Sequence, residues 1–375
     1  MKAVAVRVLA AVGLLAAAFA APSAFAAEAP GARTKTDANA WTVGVAGGLL
    51  EGSFIRYAAD LAKVLDDPPN LRVLPMVTFG AVGNVSDLLN LKGVDVAITQ
   101  ADVLDHFRNE EKIPNIEGRI QYISPLFNTE VHIYARKEYA SIKDLAGQKV
   151  AFNTPGSAAN YTGQVVFKRL GVSVQPLMIN NAVALEKMRT GEIAAVVHVV
   201  GKPNDLFAKY KPEPGFHFLP VDYDSQFADY YVPASLDAAD YPNLIPAGQS
   251  VPTIAVPAVL AVYNWKPGSE RYKRVGRFIE AYFAKFAQLQ QPPFQAKWQE
   301  VNLAGAVPGW TRYSAAEEAL GKARSSTQAG AGQGETADLH AKFDAFVTAR
   351  GPGKRAMTAR EREALFNEFV QWQKR

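Results

Sequence analysis

Residues 151–163 read AFNTPGSAANYTG. The apolar start reads as the end of a strand, Thr154 to Ser157 as a tight turn, and the rest as the opening of a helix running on to Leu170. Pro155 lacks the N–H that a sheet ladder needs, and Gly156 permits backbone angles that other residues resist. Ser157 stands where an N-cap belongs, its hydroxyl accepting from an amide of the first turn. A helix begun this way leaves unpaired N–H groups and a partial positive charge facing whatever lies ahead of it. A single turn of this kind is ordinary. Its weight comes from a second one far earlier in the chain.

That earlier segment begins with WTVGVAG (41–47), an alternating β-rich strand, and runs through GGLLEGS (47–53) into a helix. Phe54, Ala58, Leu61 and Leu65 recur there at helical spacing, an apolar stripe that faces a sheet. A strand follows over 71–78, then FGAVGN (79–84) opens a short helix to Leu91, and Gly93 precedes a buried strand, 94–99, that ends at Gln100. The later segment repeats this order. Strand 149–152, the glycine turn, the helix to Leu170, strand 172–179, helix 183–189, Gly191 and the buried strand 193–199 follow one another. The likeness lies in pattern rather than residue identity, and it predicts two α/β lobes of similar design. Alternating strands and helices imply right-handed crossovers and mostly parallel sheets, with ligands beyond the carboxyl ends of the strands. Both glycine turns, Gln100 and the segment 198–204 leave such ends. If the lobes face each other, both helix starts point into one cleft, which suits a small anion.

The β-rich run IQYISPLFNTEVHIYA (120–135) carries the chain across to the second lobe, and VPTIAVPAVLAVY (251–263) brings it back. Helix 272–289 shows one apolar side, Val275, Phe278, Ile279, Tyr282, Phe283 and Phe286, and is expected to pack on the first lobe. The expected division is a signal peptide over 1–26, a flexible leader over 27–40, lobe one over 41–135 plus 251–320, lobe two over 136–250, and a linker with a helical tail over 321–375. The signal peptide is read from Lys2 and Arg7, the apolar run 8–21 and the small-x-small site Ala24-Phe25-Ala26. It places the mature chain in the periplasm. The tail joins a linker, SSTQAGAGQGE (325–335), to a capping box at Thr358 and Glu361 before an amphipathic stripe, expected to dock on its own body.

Cysteine is absent, which removes disulfides, thiolate metal sites and a Cys nucleophile. The formal charge of +4 sits at the ends of the chain. Lys2 and Arg7 lie in the expected signal peptide, and ten Lys/Arg face six Asp/Glu from Gly321 onward, so the body is near balance at 28 against 30. With no basic stripe, nucleic acid is not an expected partner. There is no G-x-S-x-G elbow, H-E-x-x-H, Walker A or grouped metal-ligand spacing, and His106, His132, His198, His217 and His340 are scattered. No catalytic residue, cofactor or metal is assigned.

At this point the chain resembles the TAXI-class solute-binding proteins of tripartite ATP-independent periplasmic (TRAP) transporters. The likeness is carried by the glycine loop and helix over 47–65, TFGAVGN (78–84), GVDVAITQ (93–100), SIKDLAGQKVAFNTPGS (141–157), 191–204 with its GKPN (201–204), and VPTIAVPAVL (251–260). It spans roughly 41–286. The resemblance implies a type II periplasmic binding-protein fold, two α/β lobes closing on a small organic anion of the carboxylate or acidic amino acid class. It also implies delivery to integral-membrane permease subunits by a monomer. A receptor of the same fold feeding a signalling protein is the alternative, and an extracytoplasmic hydrolase a lesser one. Family members usually carry a loop like TGGTGGTYY. Here Leu49-Leu50-Glu51 interrupts the glycines, and Ser53-Phe54 stands where Thr-Tyr is common.

The candidate ligand contacts are Gly48, Gly52, Ser53, Phe54, Gln100, Gly156, Ser157, Asn160, Lys202 and Asn204. Ser53 and Ser157 read as N-caps that also reach ligand, and Gln100 as a bidentate amide at a strand end. Lys202 is the best-placed cation for a carboxylate. Glu51 reads as turned to solvent, since loop carboxylates are mostly exposed and one facing the cleft would repel an anion. His198, between valines in a buried strand, reads as a core histidine, and Tyr230 and Tyr231 as core or hinge packing.

Overall fold

Strand β1 (Thr42–Gly48) buries Val43, Val45 and Ala46, and lies parallel to β2 (Arg72–Val77) on one side and β3 (Val96–Gln100) on the other. Parallel neighbours need crossovers, and α1 (Phe54–Leu65) and α2 (Ala81–Asn90) supply them. The expected stripe is what α1 buries: Phe54, Ala58, Leu61 and Leu65, joined by Tyr57 and Val64. Phe54, Leu61 and Leu65 together contribute roughly 5–8 kcal/mol of burial before chain entropy is subtracted. The computed structural model describes residues 39–209 and 215–323.

From β3 the chain reaches β4 (Ile120–Arg136), 17 residues long, and later β10 (Ser250–Tyr263), 14 residues long. These antiparallel partners form the spine between the lobes. β10 flanks β3, while the far end of β4 pairs with β7 (Ala195–Val200). In the second lobe β5 (Lys149–Ala151) lies parallel to β7 and to β6 (Gln175–Leu177). Its crossovers are a helical segment, a π turn over Ala159–Gly163 continuing as α3 (Gln164–Arg169), and α4 (Asn181–Arg189). Asn180 caps α4, its Oδ1 accepting from Ala182 N at 2.8 Å. β8 (Phe216–Phe218) adds to β4 and β9 (Val232–Asp237) to β10.

The described strands form one sheet in the order β2-β1-β3-β10-β4-β7-β5-β6, with β8 and β9 attached to the spine. The two wings are parallel, as the alternating pattern predicts, and the spine is antiparallel. This is the expected two-lobed type II periplasmic binding-protein fold. After β10, α6 (Glu270–Leu289) buries Val275, Phe278, Ile279, Tyr282, Phe286 and Leu289 and packs on α1 in the first lobe. The expected signal peptide, leader residues 27–38 and the tail from 324 lie outside the described residues. Among the described residues no helix is long and apolar enough to cross a membrane.

Candidate functional site

The two glycine turns meet across a cavity of about 40 Å³. Gly47 to Leu49 and Glu51 to Phe54 form one wall, Asn153 and Ser157 to Ala159 the other. Phe79, Gly80, Ala81, His198, Val199 and Val200 complete it. The jaws touch backbone to backbone. The Gly156 carbonyl accepts from Val82 N at 3.0 Å and Gly83 N at 3.1 Å, so it occupies the amides that the first turn of α2 would otherwise leave unpaired. That approach requires glycine on both sides. Gly80 has φ +112°, and a Cβ there would stand 3.3 Å from Ser157 Cα. Gly156 has φ +82°, and its Cβ would meet Phe79 Cβ at 3.2 Å.

The serines divide. Ser157 caps as expected, its Oγ accepting from Asn160 N at 3.2 Å. Ser53 does not: it has helical angles and no side-chain cap, and its Oγ accepts from Gly201 N of the opposite lobe at 3.4 Å. Glu51, read from sequence as turned to solvent, instead faces the second lobe. Its Oε1 accepts from Asn180 Nδ2 at 2.7 Å and its backbone oxygen from Asn204 Nδ2 at 3.1 Å. The loop carboxylate is thereby a strap between the lobes.

Comparison with known families matches the NMT1-like family over residues 47–308, a span holding both jaws, the spine and α6. The chain belongs to the NMT1-like family. This family is of periplasmic binding-protein type. Solved structures similar to this NMT1-like protein include the periplasmic binding protein BugD, at 14% identity and TM-score 0.46, over 77% of this chain and 97% of that one. An ancestral arginine-binding protein bound to arginine matches at 18% identity and TM-score 0.39, over 69% of this chain and 96% of that one. The amino acid transporter substrate-binding protein AbpA from Streptococcus pneumoniae, bound to L-arginine, matches at 14% identity and TM-score 0.38, over 69% and 95%.

In this NMT1-like protein Gly48, Gly52, Ser53, Phe54 and Ser157 line the cavity, with Gly156 at the jaw contact behind it. The remaining candidates stand elsewhere. Lys202 Nζ is held by Asp237 at 2.7 Å and Asp240 at 2.8 Å. Burial opposes its charge, but those two carboxylates outweigh burial and hold its pKa above the ordinary lysine value. Asn204 caps the short helix α5 (Asp205–Ala208), its Oδ1 accepting from Leu206 N at 2.9 Å. Asn160 Nδ2 lies 2.6 Å from Met178 Sδ.

Gln100 is fully buried at the lobe junction, donating to Thr129 Oγ1 at 2.6 Å, with Thr162 Oγ1 3.1 Å from its Oε1. Beside it Asp102 Oδ2 accepts from Thr162 Oγ1 at 2.8 Å and Tyr231 OH at 2.9 Å. Burial raises the Asp102 pKa to about 6 against those two hydrogen bonds. Tyr230 OH donates to Asp105 at 3.0 Å, so both tyrosines serve the junction.

His198, read from sequence as a core histidine, is buried as expected and also stands at the cavity wall. It is 4% exposed, and neither ring nitrogen has a hydrogen-bond partner. Burial pushes its pKa down to about 4, so it is neutral at neutral pH. Its place near the carboxyl end of β7 was the available signal, since ligands bind at such ends. The cavity wall carries no Lys or Arg. Among the described residues no three His, Asp or Glu side chains are grouped as metal ligands.

Proposed function

We propose that this NMT1-like protein is a periplasmic solute-binding protein of the TAXI class that closes its two lobes on a small organic anion and presents it to TRAP permease subunits. The supporting observation is the cavity walled by the glycine turns of both lobes. The proposed lobes are 41–135 with 251–320, and 136–250, behind a signal peptide that directs the chain to the periplasm. Gly48, Gly52, Ser53, Phe54 and Ser157 are the proposed ligand contacts. Gly156, Gln100, Asn160, Lys202 and Asn204 hold the walls in place around them. Ser53 and Ser157 each accept on their oxygen and retain an O–H to donate. Helix α1 begins at the cavity, where the Arg56 amide is taken by the Ser53 carbonyl at 3.0 Å and the Phe54 and Ile55 amides ahead of it have no backbone acceptor. A ligand touching both lobes stabilises the closed form by its differential affinity.

Purified protein should therefore melt at higher temperature in the presence of at least one acid from a panel of mono- and dicarboxylates and amino acids. A panel without a single shift sinks the reading. The permease assignment has its own check: the protein should co-purify with the large multi-spanning subunit when the two are expressed together, and loss of ligand uptake should follow its deletion.

A further inference from the structure

Three features of the cavity bear on which acid it takes, on the reading that it binds an organic anion at all. The first is His198, buried and with both ring nitrogens unpartnered. A buried polar group left unpaired is costly, so such a group at a cavity wall marks the place where a ligand supplies the missing partner. The second is charge. The wall contains one carboxylate, Glu51, and neither Lys nor Arg. The nearby cations are committed elsewhere: Lys202 to Asp237 and Asp240, and Arg56 to Asp205 at 2.6 Å. The third is size. A volume of about 40 Å³ has room for about three water molecules, which favours the smallest carboxylates.

We propose that His198 is the specificity-determining contact of this site, and that the ligand is a compact monocarboxylate, held by neutral donors alone. One carboxylate can be met by the Ser53 and Ser157 hydroxyls, the Phe54 amide at the start of α1 and an imidazole N–H, all uncharged. A second carboxylate in the same enclosure would face Glu51 with no cation to offset it, in a setting where like charges are poorly screened. Dicarboxylates, acidic amino acids included, are therefore excluded by charge as well as by length.

The test is calorimetry on the full chain with acetate, lactate and pyruvate against succinate, 2-oxoglutarate and glutamate, repeated on His198→Gln and His198→Phe. The monocarboxylates should bind the wild type and the diacids should not. Loss of a hydrogen bond to a charged group should weaken binding in His198→Phe by about tenfold or more, while His198→Gln, which still donates, should stay within about tenfold of wild type. Should His198→Phe fail to fold, the wild-type imidazole resonances answer the same question, because the ring nitrogen signals of His198 should shift on adding the acid. Unmoved resonances, or a His198→Phe variant that binds as well as wild type, would overturn the assignment. A diacid that binds more tightly than every monoacid would overturn the ligand class while leaving solute binding intact. No binding in either set would remove this inference together with the reading it rests on.

Discussion

His198 and Asp102 illustrate how burial sets a residue's chemistry. Each sits in the protein interior near the lobe junction, and burial drives each toward its neutral form, which means opposite pKa shifts for base and acid. The consequences for stability have opposite signs. His198 is lowered to about 4 and its cross-strand neighbour His132 to about 3, so their contribution is present above the ordinary histidine value and is lost as pH falls through the folded values. Asp102 is raised to about 6, so its contribution is present below the ordinary carboxylate value and is lost as pH rises through about 6. Asp102→Asn removes only the second effect. The stability of that variant relative to wild type, measured by urea denaturation, should improve from pH 4 to pH 7 by up to about 3 kcal/mol. A pH-independent difference would show that Asp102 is already ionised in the fold. None of this was legible in the sequence, because the partners that decide each residue are distant in the chain. Gln100 meets Thr129 and Thr162, and Lys202 meets Asp237 and Asp240. Local sequence marked Gln100 as the polar end of a strand, which it is, and Lys202 as a loop cation just past one. It gave no sign that both would be satisfied by the protein itself.

Elements were more legible than contacts because helices and glycine turns are local objects. The stripe of α1, the long helix α6, the Ser157 cap and the β-rich crossings all follow from spacing and turn chemistry within a few residues. The continuity of the sheet does not, since β10 selects β3, β4 and β9 as partners from widely separated parts of the chain. Glycines show the same division. Gly147 and Gly156 both take positive φ, +73° and +82°, yet a Cβ at Gly147 meets nothing within 4 Å, whereas one at Gly156 meets Phe79. Gly147→Ala should therefore cost only backbone strain, about 1–2 kcal/mol, and leave ligand affinity unchanged. Gly156→Ala should cost the same strain and additionally force the jaws apart, lowering affinity as well. Denaturant melts and calorimetry on the two variants separate the effects. Equal affinities in both would mean that the Gly156–Phe79 approach is not needed for the closed form.

For the whole molecule, the proposed closure rests on a few contacts across the cavity between lobes that the β4–β10 spine already joins. The Gly156 carbonyl on α2, the Glu51 strap to Asn180 and Asn204, the Arg56–Asp205 pair and the Thr162–Asp102 bond are distributed around the cavity rather than gathered at one edge. Their individual strengths are modest. A neutral hydrogen bond is worth about 1 kcal/mol net, and an ion pair as exposed as Arg56–Asp205 contributes about 1 kcal/mol at most. Removing the Asn180 half of the strap together with the ion pair in Arg56→Ala/Asn180→Ala should thus shift the closed-to-open ratio by about tenfold without disturbing either lobe's core. In solution scattering the ligand-free double variant should have a larger radius of gyration than wild type. Dissociation of the proposed ligand should speed up by a similar factor, because a ligand enclosed by both lobes leaves through the open form. A double variant that matches wild type in both measurements would place the hold on closure at the contacts it leaves intact, among them Gly156 on α2, Thr162 and Tyr231 on Asp102, Asn204 on Glu51 and Gly201 on Ser53.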